Sequence, residues 1–239
     1  MKKNFIAIIP ARSGSKSIKD KNIKKIGNIP LIAWSIKVCL NSKYISKVIV
    51  STDSLKYAKI AKRFGVTDVV IRPKNISKDL STDYEMIKHC MKIINFNDYD
   101  YIAHIRPTTP FRKLSVLNKA INFFKNSKYD SLRTIHQTPE TVYKCFELSN
   151  KNLLKPIANL NLSMDYLNSP KENFKKTYVP NGYVDIYRKV FIKNNNLLFG
   201  KKVYGFITPY STEIDSLEEY IYLKNLLKNN RKIYKYFKS

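Results

Sequence analysis

The chain has 239 residues, 44% hydrophobic and 26% charged, a balance typical of a folded globular protein and not of an intrinsically disordered one. Its 44 Lys and Arg against 18 Asp and Glu give a formal net charge of +26, which favours anionic ligands: nucleotides, nucleic acids, acidic sugars or a membrane surface. The excess is mostly lysine, so a compositional bias of the genome is the alternative explanation, and the net charge alone does not decide between the two.

The apolar segments and the cysteines indicate the cellular compartment of the protein. No apolar run approaches the roughly 18 residues of a membrane span. The N-terminal apolar stretch of about five residues is too short for a signal-peptide core, so we expect a cytoplasmic protein without membrane insertion. Cys39, Cys90 and Cys145 lie far apart and have no zinc-ligand spacing, which predicts reduced thiols.

Strands and helices alternate along the first 137 residues. In chain order we predict a strand at Phe5–Ile9, a helix beginning at Pro30, a strand at Val48–Ser51, a helix from Asp53 or Ser54 to Phe64, a strand at Asp68–Ile71, a helix from Ser81 or Thr82 to Ile94, a strand at Tyr99–Ile105, a helix at Ser115–Phe124 and a strand at Ser131–Ile135. This spacing requires right-handed crossovers and a parallel sheet, the α/β class with nucleotide-binding character.

The alternation stops at residue 138. Residues 138–180 are rich in Asn, Lys, Ser and Pro and contain short β-like pieces such as Val142–Leu148. Regular secondary structure is predicted again at Gly182–Tyr187 and Val203–Ile207, before a last helix from about Leu217 to Lys228. We therefore predict one domain, residues 1–239, with an extension at about 138–180.

The loop after the first strand is the first candidate binding site, since ligands of parallel α/β sheets bind at the carboxyl ends of strands. Its small residues allow backbone amides to approach a phosphate, and its basic residues supply charge. These residues are Ala11, Arg12, Ser13, Gly14, Ser15, Lys16 and Lys21. The loop matches neither the Walker A nor the G-x-G-x-x-G pattern, which disfavours a nicotinamide dinucleotide fold. An ordinary basic surface loop is the alternative.

A second candidate is the pair Glu213 and Asp215. Alternation in an extended segment places both carboxylates on one face, which suits Mg²⁺. The alternative is that Asp215 is the N-cap of the last helix. His104 ends the fourth predicted strand, where it can approach the site, although a structural role is the simpler interpretation.

Several stretches in order resemble the motifs of the CMP-sialic acid synthetase family of cytidylyltransferases, with the CMP-Kdo synthetases as near relatives. They are Ile9-Pro10-Ala11-Arg12-x-Gly14-Ser15-Lys16 with Lys21-Asn22, Ser51-Thr52-Asp53, Arg72-Pro73 with Leu80-Ser81-Thr82-Asp83, Arg106-Pro107-Thr108-Thr109-Pro110-Phe111-Arg112 (similar to Q-P-T-S-P-L-R), Asn181-Gly182 and Ile214-Asp215. Together they cover about residues 4–225. Each motif is weak by itself, and their order makes the resemblance strong.

The resemblance implies a Rossmann-like nucleotidyltransferase fold, with a mainly parallel sheet, helices on both faces and a small β-rich dimerisation extension. It implies a homodimer that uses CTP and Mg²⁺ to convert an acidic sugar into its CMP conjugate, with release of pyrophosphate, for surface glycan synthesis. The sugar would be a nonulosonic acid such as legionaminic, sialic or pseudaminic acid. No nucleic-acid partner is implied.

The family's roles carry over position by position. Arg12 and Lys21 would neutralise the triphosphate, Ser15 and Lys16 would hold the phosphate loop with Ala11, Ser13 and Gly14, and Asn22, Arg72, Ser81 and Thr82 would surround the cytosine. Asp215, with Glu213, would hold the metal, so that Arg12, Lys21 and Asp215 form the expected catalytic set. The acceptor would meet Arg106, Thr108, Asn181, Asp185, Lys144 and Lys171, the two lysines reaching from the extension across a dimer.

Three acceptor positions depart from the family pattern. Arg106 replaces the usual Gln, Asp185 stands where sialic acid enzymes often have Tyr, and Lys171 stands where the family often has Arg. An arginine suits a carboxylate or phosphate, and Asp185 can pair with it or contact a substrate amino or hydroxyl group. A phosphorylated or non-sugar acid therefore remains an alternative acceptor, and Lys144 and Lys171 as solvated lysines are the simpler explanation of those two residues.

A different class of function is a nucleic-acid or anionic-membrane binding module on a degenerate nucleotidyltransferase fold. Steep loss of affinity between low and moderate salt would distinguish such a module. The joint presence of Arg12, Lys21, Asn22 and Asp215 argues against it.

Overall fold

A seven-stranded sheet forms the centre of the fold. The computed structural model describes residues 5–96, 100–158, 162–230 and 233. These residues form the strands β1 (Phe5–Pro10), β2 (Lys25–Ile26), β3 (Ile29–Pro30), β4 (Ile45–Thr52), β5 (Asp68–Ile71), β6 (Tyr101–His104), β7 (Ser131–Gln137), β8 (Phe146–Leu148), β9 (Leu154–Pro156), β10 (Tyr178–Arg188) and β11 (Val203–Ile207). The helices are α1 (Leu31–Leu40), α2 (Leu55–Arg63), α3 (Asp83–Ile93), α4 (Leu114–Lys125), α5 (Met164–Leu167), α6 (Lys189–Asn195) and α7 (Leu217–Asn229).

The strand order is β11-β7-β10-β6-β1-β4-β5. The pairs β6–β1, β1–β4, β4–β5 and β11–β7 are parallel. β10 is antiparallel to both of its neighbours, β6 and β7. The predicted mainly parallel α/β sheet is therefore confirmed, with one inserted antiparallel strand that the sequence pattern did not indicate.

The central strand β1 shows why an apolar run predicts a strand buried on both faces. Phe5, Ala7 and Ile9 pack into the core formed with α1, α2 and α4. Ile6 and Ile8 pack into the opposite core, with α3 and α6. Successive side chains of a strand alternate between faces, so a strand covered by helices on both sides must be apolar throughout.

Side-chain caps mark the starts of α2, α3 and α7. Ser54 caps α2 by accepting a hydrogen bond from the backbone of Tyr57. Thr82 caps α3 and Ser216 caps α7, each in a capping box with the Glu three residues later. The alternative that Asp215 caps α7 is therefore wrong, because Ser216 takes that position. Both Asp53 and Asp215 are left free of capping, and both belong to the site described below.

The extension differs in part from its prediction. Only Phe146–Leu148 of the predicted β-like piece is a strand, pairing with β9, whereas Val142–Lys144 forms a 3-10 turn. The predicted start of the fourth strand at Tyr99 lies outside the described residues, and β6 spans Tyr101–His104. The short β2–β3 hairpin and α6 had no sequence prediction.

All three cysteines are free, and Cys39 and Cys90 are buried. This agrees with the expected reduced thiols. Among the described residues, no helix combines the length and the apolar character that a membrane crossing requires.

Candidate active site

A cleft of about 570 Å³ opens where β1 and β6 end, at the carboxyl edge of the parallel strands. It is the edge at which ligands bind in open α/β sheets. The cleft is lined by Pro10, Arg12, Ser15, Lys16, Ser17, Lys21, Asn22, Arg72, Asp79, Ser81, Thr82, Asp83, Met86, Arg106, Pro107, Thr108, Glu213 and Asp215. Residues from four of the six motifs are thus brought to one cavity.

The loop after β1 is anchored to the neighbouring strand β4. The Ala11 backbone N–H donates to the Ser51 carbonyl at 2.8 Å. The Asp53 carboxylate accepts from the Ser13 backbone N–H at 2.8 Å and from its hydroxyl at 2.9 Å. An ideal Cβ at Gly14 would meet nothing within 4 Å, so this loop leaves open space beside its backbone. The anchoring role of Asp53 was missed, since the sequence presents it equally well as a helix cap.

Two basic residues of this loop share one acidic partner across the cleft. An NH1 nitrogen of Arg12 lies 2.8 Å from Asp79 Oδ1, and Lys16 Nζ lies 2.6 Å from Asp79 Oδ2. Lys16 and Arg12 hold the pKa of Asp79 below its ordinary value. The carboxylate thus occupies the position beside both cations that a phosphate group would take.

Lys21 connects the first loop with the segment before α7. Its Nζ donates to the Ile214 carbonyl at 2.8 Å and to Asp215 Oδ1 at 3.0 Å. The Lys21 side chain is only 13% exposed, whereas that of Asp215 is 72% exposed. The carboxylate is therefore accessible from the cleft while its partner lysine is held in place.

Two carboxylates that could bind a metal ion, Glu213 and Asp215, line the cleft. Glu213 accepts a hydrogen bond from the Thr108 hydroxyl at Oε1, at 2.7 Å, and lines the same cleft as Asp215. Oxygen donors of this kind fit Mg²⁺, which takes one or two carboxylates together with substrate phosphates. Among the described residues, no group of three or more His, Cys, Asp or Glu suits a metal. The donor set thus fits a cation that the substrate also ligates.

The residues expected around a cytosine line the same cleft. The Asn22 amide donates to the Arg12 carbonyl at 2.9 Å, and an Arg72 NH2 nitrogen donates to the Ser51 carbonyl at 3.1 Å. Within the described chain, Arg72 Nε has no hydrogen-bond partner. Burial lowers the pKa of Arg72. Ser81 accepts from the Lys78 backbone N–H at 2.9 Å, and Thr82 is engaged as the α3 cap.

Arg106 lies between two aspartates at the other end of the cleft. Its NH1 nitrogen is 2.8 Å from Asp185 Oδ2 and its NH2 nitrogen 2.6 Å from Asp83 Oδ2. Burial disfavours its charge, but Asp185 and Asp83 outweigh that effect and raise the pKa of Arg106. The sequence allowed a pairing of Arg106 with Asp185, and the structure shows it; the part of Asp83 was not foreseen.

Two of the expected acceptor residues lie behind the cleft wall. Asp185 is nearly inaccessible, and Asn181 is buried, its amide donating to the Thr208 hydroxyl at 2.7 Å. The next residue, Gly182, has a φ of +62°. Its position brings the strand close to Thr109 and to Glu213. Asn181 and Gly182 therefore shape the wall without lining the cavity.

Arg112 is a buried residue whose importance the sequence did not reveal. Its guanidinium donates to the carbonyls of Tyr183, Arg106, Gly182 and Thr109 and to the Ser35 hydroxyl. Burial lowers its pKa to about 10. These bonds join the segment after β6 to the middle of β10, so both parts of the acceptor end are held by one side chain.

The two lysines of the extension do not line this cleft. Lys144 ends the 3-10 turn at 142–144. Lys171 begins another short turn and lines a separate cavity of about 220 Å³ with residues such as Thr138 and Phe174. A contribution of either lysine to the cleft would have to come from a second copy of the chain.

The comparisons with known proteins agree with this geometry. A family model described as Cytidylyltransferase matches residues 6–237. The chain is 30% identical over 222 residues to N-acylneuraminate cytidylyltransferase of Escherichia coli O18:K1:H7, covering 90% of this chain and 49% of that protein. It is 27% identical over 217 residues to post-translational flagellin modification protein B of Campylobacter coli, covering 88% of each.

A third relative is the Helicobacter pylori protein named pseudaminic acid cytidylyltransferase and UDP-2,4-diacetamido-2,4,6-trideoxy-beta-L-altropyranose hydrolase. It is 34% identical over 146 residues, which are 61% of this chain and 28% of that protein. The chain thus spans about half of the Escherichia coli relative's length and less of the Helicobacter pylori one.

Solved structures share the fold. A CMP:2-keto-3-deoxy-manno-octonic acid synthetase complexed with CTP superposes with a TM-score of 0.71 at 12% identity, covering 95% of this chain and 99% of that one. A 4-diphosphocytidyl-2C-methyl-D-erythritol synthase from Anaerococcus prevotii gives a TM-score of 0.65 at 14% identity, covering 95% and 97%. The predicted Rossmann-like nucleotidyltransferase fold is confirmed.

Proposed function

Since the chain belongs to the cytidylyltransferase family, as its resemblance to the CMP-sialic acid synthetases predicted, we propose that it transfers CMP from CTP to an acidic sugar and releases pyrophosphate. The acceptor is a nonulosonic acid, the class to which the acids named in the Escherichia coli and Helicobacter pylori relatives belong. The observation that carries the proposal is the meeting of the β1 loop with the Glu213–Asp215 segment in one cleft.

Nucleotide binding follows from the charges on the β1 loop. Arg12, Lys16 and Lys21 bind the triphosphate, with the backbone of Ser13, Gly14 and Ser15 beside it. Each charge-assisted hydrogen bond to a phosphate contributes roughly 1.5–3 kcal/mol. Asn22 and Arg72, with Ser81 and Thr82, face the cytosine, whose O2 and N3 accept hydrogen bonds while N4 donates them.

The transfer needs little covalent chemistry from the protein. The acceptor hydroxyl oxygen attacks the α-phosphorus and loses its proton to solvent, the bond from the α-phosphorus to the α–β bridging oxygen breaks, and pyrophosphate leaves with that oxygen. Arg12 and Lys21 stabilise the charge on the departing pyrophosphate. Arg106 and Thr108 orient the acid, with Asn181 and Asp185 supporting that wall.

Asp215 and Glu213 are the residues that would hold Mg²⁺, whose chemistry when bound is to polarise phosphoryl oxygens and to lower the pKa of a ligated hydroxyl. The Lys21–Asp215 contact at 3.0 Å places a fixed positive charge against this carboxylate. Lys21 therefore orients Asp215 before nucleotide and metal arrive.

A homodimer completes the proposal. The extension exposes the apolar side chains Leu148, Leu153, Leu154, Ile157 and Met164, which association with a second copy would cover. Association through this surface is the arrangement in which Lys144 and Lys171 can meet a partner's cleft. Mixing inactive Arg12→Ala and Lys171→Ala proteins then restores activity, because hybrid dimers contain one intact shared site; absence of any restoration contradicts the shared site.

The experiment that tests the proposal measures pyrophosphate release with CTP, Mg²⁺ and a panel of acids. The panel holds N-acetylneuraminic, legionaminic, pseudaminic and 3-deoxy-octulosonic acids together with phosphorylated small acids. We expect release with one nonulosonic acid, with CTP far better than ATP, GTP or UTP. CTP binding without release with any sugar acid would move the search to other acids, and absence of CTP binding would overturn the proposal.

The metal is tested separately. Asp215→Asn keeps the size of the side chain and removes its charge, so we expect the Mg²⁺ concentration for half-maximal activity to rise sharply. Asp165→Asn, on the exposed start of α5, is the matched control. An unchanged Mg²⁺ titration in Asp215→Asn would remove that residue from the metal site.

A further inference from the structure

The acceptor end of the cleft contains a compact group of opposed charges, here called the Arg106 cluster: Arg106, Asp83, Asp185, Arg133 and His104. Arg106 is bonded to both aspartates, and Arg133 Nε lies 3.6 Å from the second oxygen of Asp185. Two arginines face two carboxylates, so with a neutral histidine the cluster has no net charge. The guanidinium of Arg106 is thus fully compensated before any acid binds.

The two carboxylates differ in freedom. The Asp185 side chain is 2% exposed, belongs to the central part of β10 and has Arg133 behind it. The Asp83 side chain is 43% exposed, stands at the first residue of α3 and lines the cleft. An incoming anion can therefore compete with Asp83 for Arg106, whereas Asp185 stays in place.

His104 offers Asp83 a second partner. His104 is fully buried, and its Nε2 has no hydrogen-bond partner among the described residues. This nitrogen lies 3.7 Å from Asp83 Oδ1, too far for a hydrogen bond but within reach of a small side-chain rotation. An unpaired buried donor is costly, so a carboxylate that turns toward it gains a bond.

The rotation requires a ring hydrogen on His104 Nε2. The Tyr187 hydroxyl lies 3.5 Å from His104 Nδ1, and burial raises the pKa of Tyr187 well above its ordinary value, so the hydroxyl keeps its proton. When that hydroxyl donates to Nδ1, the single ring hydrogen stands on Nε2 and faces Asp83. The proposed rotation uses this tautomer, one of the two that the 3.5 Å contact allows. Burial lowers the pKa of His104 to about 4, so the ring is neutral near pH 7.

We propose that Asp83 is a displaceable counter-ion of Arg106 and so a specificity-determining positioning residue: the acceptor's carboxylate takes the Asp83 position on Arg106, and Asp83 turns to His104 Nε2. The inference rests on the proposed function. A neutral sugar cannot replace the charge-assisted hydrogen bond of 2.6 Å between Arg106 and Asp83, so Arg106 stays paired with Asp83 until an anion arrives. Asp83 thereby favours acids over neutral sugars.

The test is a double-mutant cycle on steady-state kinetics, with the acid that supports pyrophosphate release. Asp83→Asn removes the competing charge, so we expect the KM of the acid to fall roughly three- to tenfold while the KM of CTP stays within about twofold. His104→Phe keeps a ring but removes the second partner, so the KM of the acid rises. In the double variant the effect of His104→Phe disappears, because no carboxylate is left to turn. Asp68→Asn, which removes a distant ion pair with Lys47, is the control.

A spectroscopic readout covers the case in which the buried variant folds poorly. The chain has three histidines, so the imidazole nitrogens of the wild-type protein give few NMR signals. Addition of the acid shifts the His104 Nε2 resonance as it gains a hydrogen bond, and the methyl ester of the same acid does not.

The outcomes separate the two proposals. Wild-type protein that releases pyrophosphate, with an unchanged or higher acid KM in Asp83→Asn and a silent His104 resonance, overturns the displaceable counter-ion and leaves the proposed function standing. Wild-type protein that activates no acid overturns both.

Discussion

Gly182→Ala tests how the wall of the cleft is built. Gly182 has a φ of +62°, where an L side chain costs roughly 1–2 kcal/mol. An added Cβ would lie 2.8 Å from the Thr109 hydroxyl and 3.2 Å from both carboxylate oxygens of Glu213. The Thr109 hydroxyl donates to the Asn181 carbonyl in the core, and losing that bond costs about a further 1 kcal/mol.

The expected result has two parts. The free energy of unfolding of Gly182→Ala, measured by urea titration, falls by roughly 1–3 kcal/mol. Its kcat falls by roughly tenfold or more, because Glu213 must move by a few tenths of an ångström from its position in the proposed metal site. The Mg²⁺ titration of activity shifts to higher concentration in the same variant.

Gly65→Ala separates backbone strain from the cleft. Gly65 also has a positive φ, +95°, and its added Cβ would meet only the end of the Leu40 side chain, at 3.1 Å. We expect a comparable loss of unfolding free energy with kcat unchanged. If Gly182→Ala matches Gly65→Ala in kcat and in Mg²⁺ dependence, the crowding of Glu213 has no functional consequence and the reasoning fails.

Three further predictions concern the β1 loop. Asp79→Asn removes the acidic partner of Arg12 and Lys16, so the Kd of CTP, measured by titration calorimetry, falls by about two- to tenfold. A higher Kd in this variant would show instead that Asp79 helps to bind the nucleotide. Asp53→Ala frees the loop from two hydrogen bonds, so the KM of CTP rises while thermal unfolding changes little; an unchanged KM would make the loop self-supporting. Arg12→Ala loses more than ~100-fold in kcat against the exposed control Arg63→Ala, and near-wild-type turnover would exclude Arg12 from the mechanism.

Local signals made much of the fold predictable. The run at Phe5–Ile9 has no polar residue, which only a strand covered on both faces requires. Ser54 and Thr82 precede helices at positions where their hydroxyls satisfy free backbone N–H groups. Such features depend on a few neighbouring residues, so the sequence shows them directly.

Long-range pairing was not predictable in the same way. β10 runs antiparallel between β6 and β7, and its register, with Asp185 opposite His104, depends on contacts about eighty residues apart. The same holds for Arg112, four of whose partners are backbone carbonyls that any residue type could supply. A sequence reveals side-chain chemistry, but not which carbonyls a buried guanidinium will meet.

The candidate site was likewise predictable only in part. The motifs brought Arg12, Lys21 and Asp215 to one cleft, as the resemblance implied. Their acidic partners were not apparent, because Asp79 lies in a loop with no periodic pattern and Asp83 was read only as part of a motif. An ion pair across a cleft requires the relative position of two loops, which neither loop encodes alone.

These ion pairs show that the net charge of +26 is not concentrated in the cleft. The lining of the cleft contains five basic side chains, Arg12, Lys16, Lys21, Arg72 and Arg106, and four acidic ones, Asp79, Asp83, Glu213 and Asp215, a formal charge of only +1. The positive excess of the chain therefore lies mostly outside the cleft, as a lysine-rich composition would distribute it. In the proposed function, binding of CTP and of an acid would be an exchange of anions, in which ligand phosphates and carboxylates would replace aspartates already paired with Arg12, Lys16 and Arg106. The cations of such a site are already paired with carboxylates, so electrostatic attraction alone does not select a ligand. The site selects by the geometry of the incoming anion.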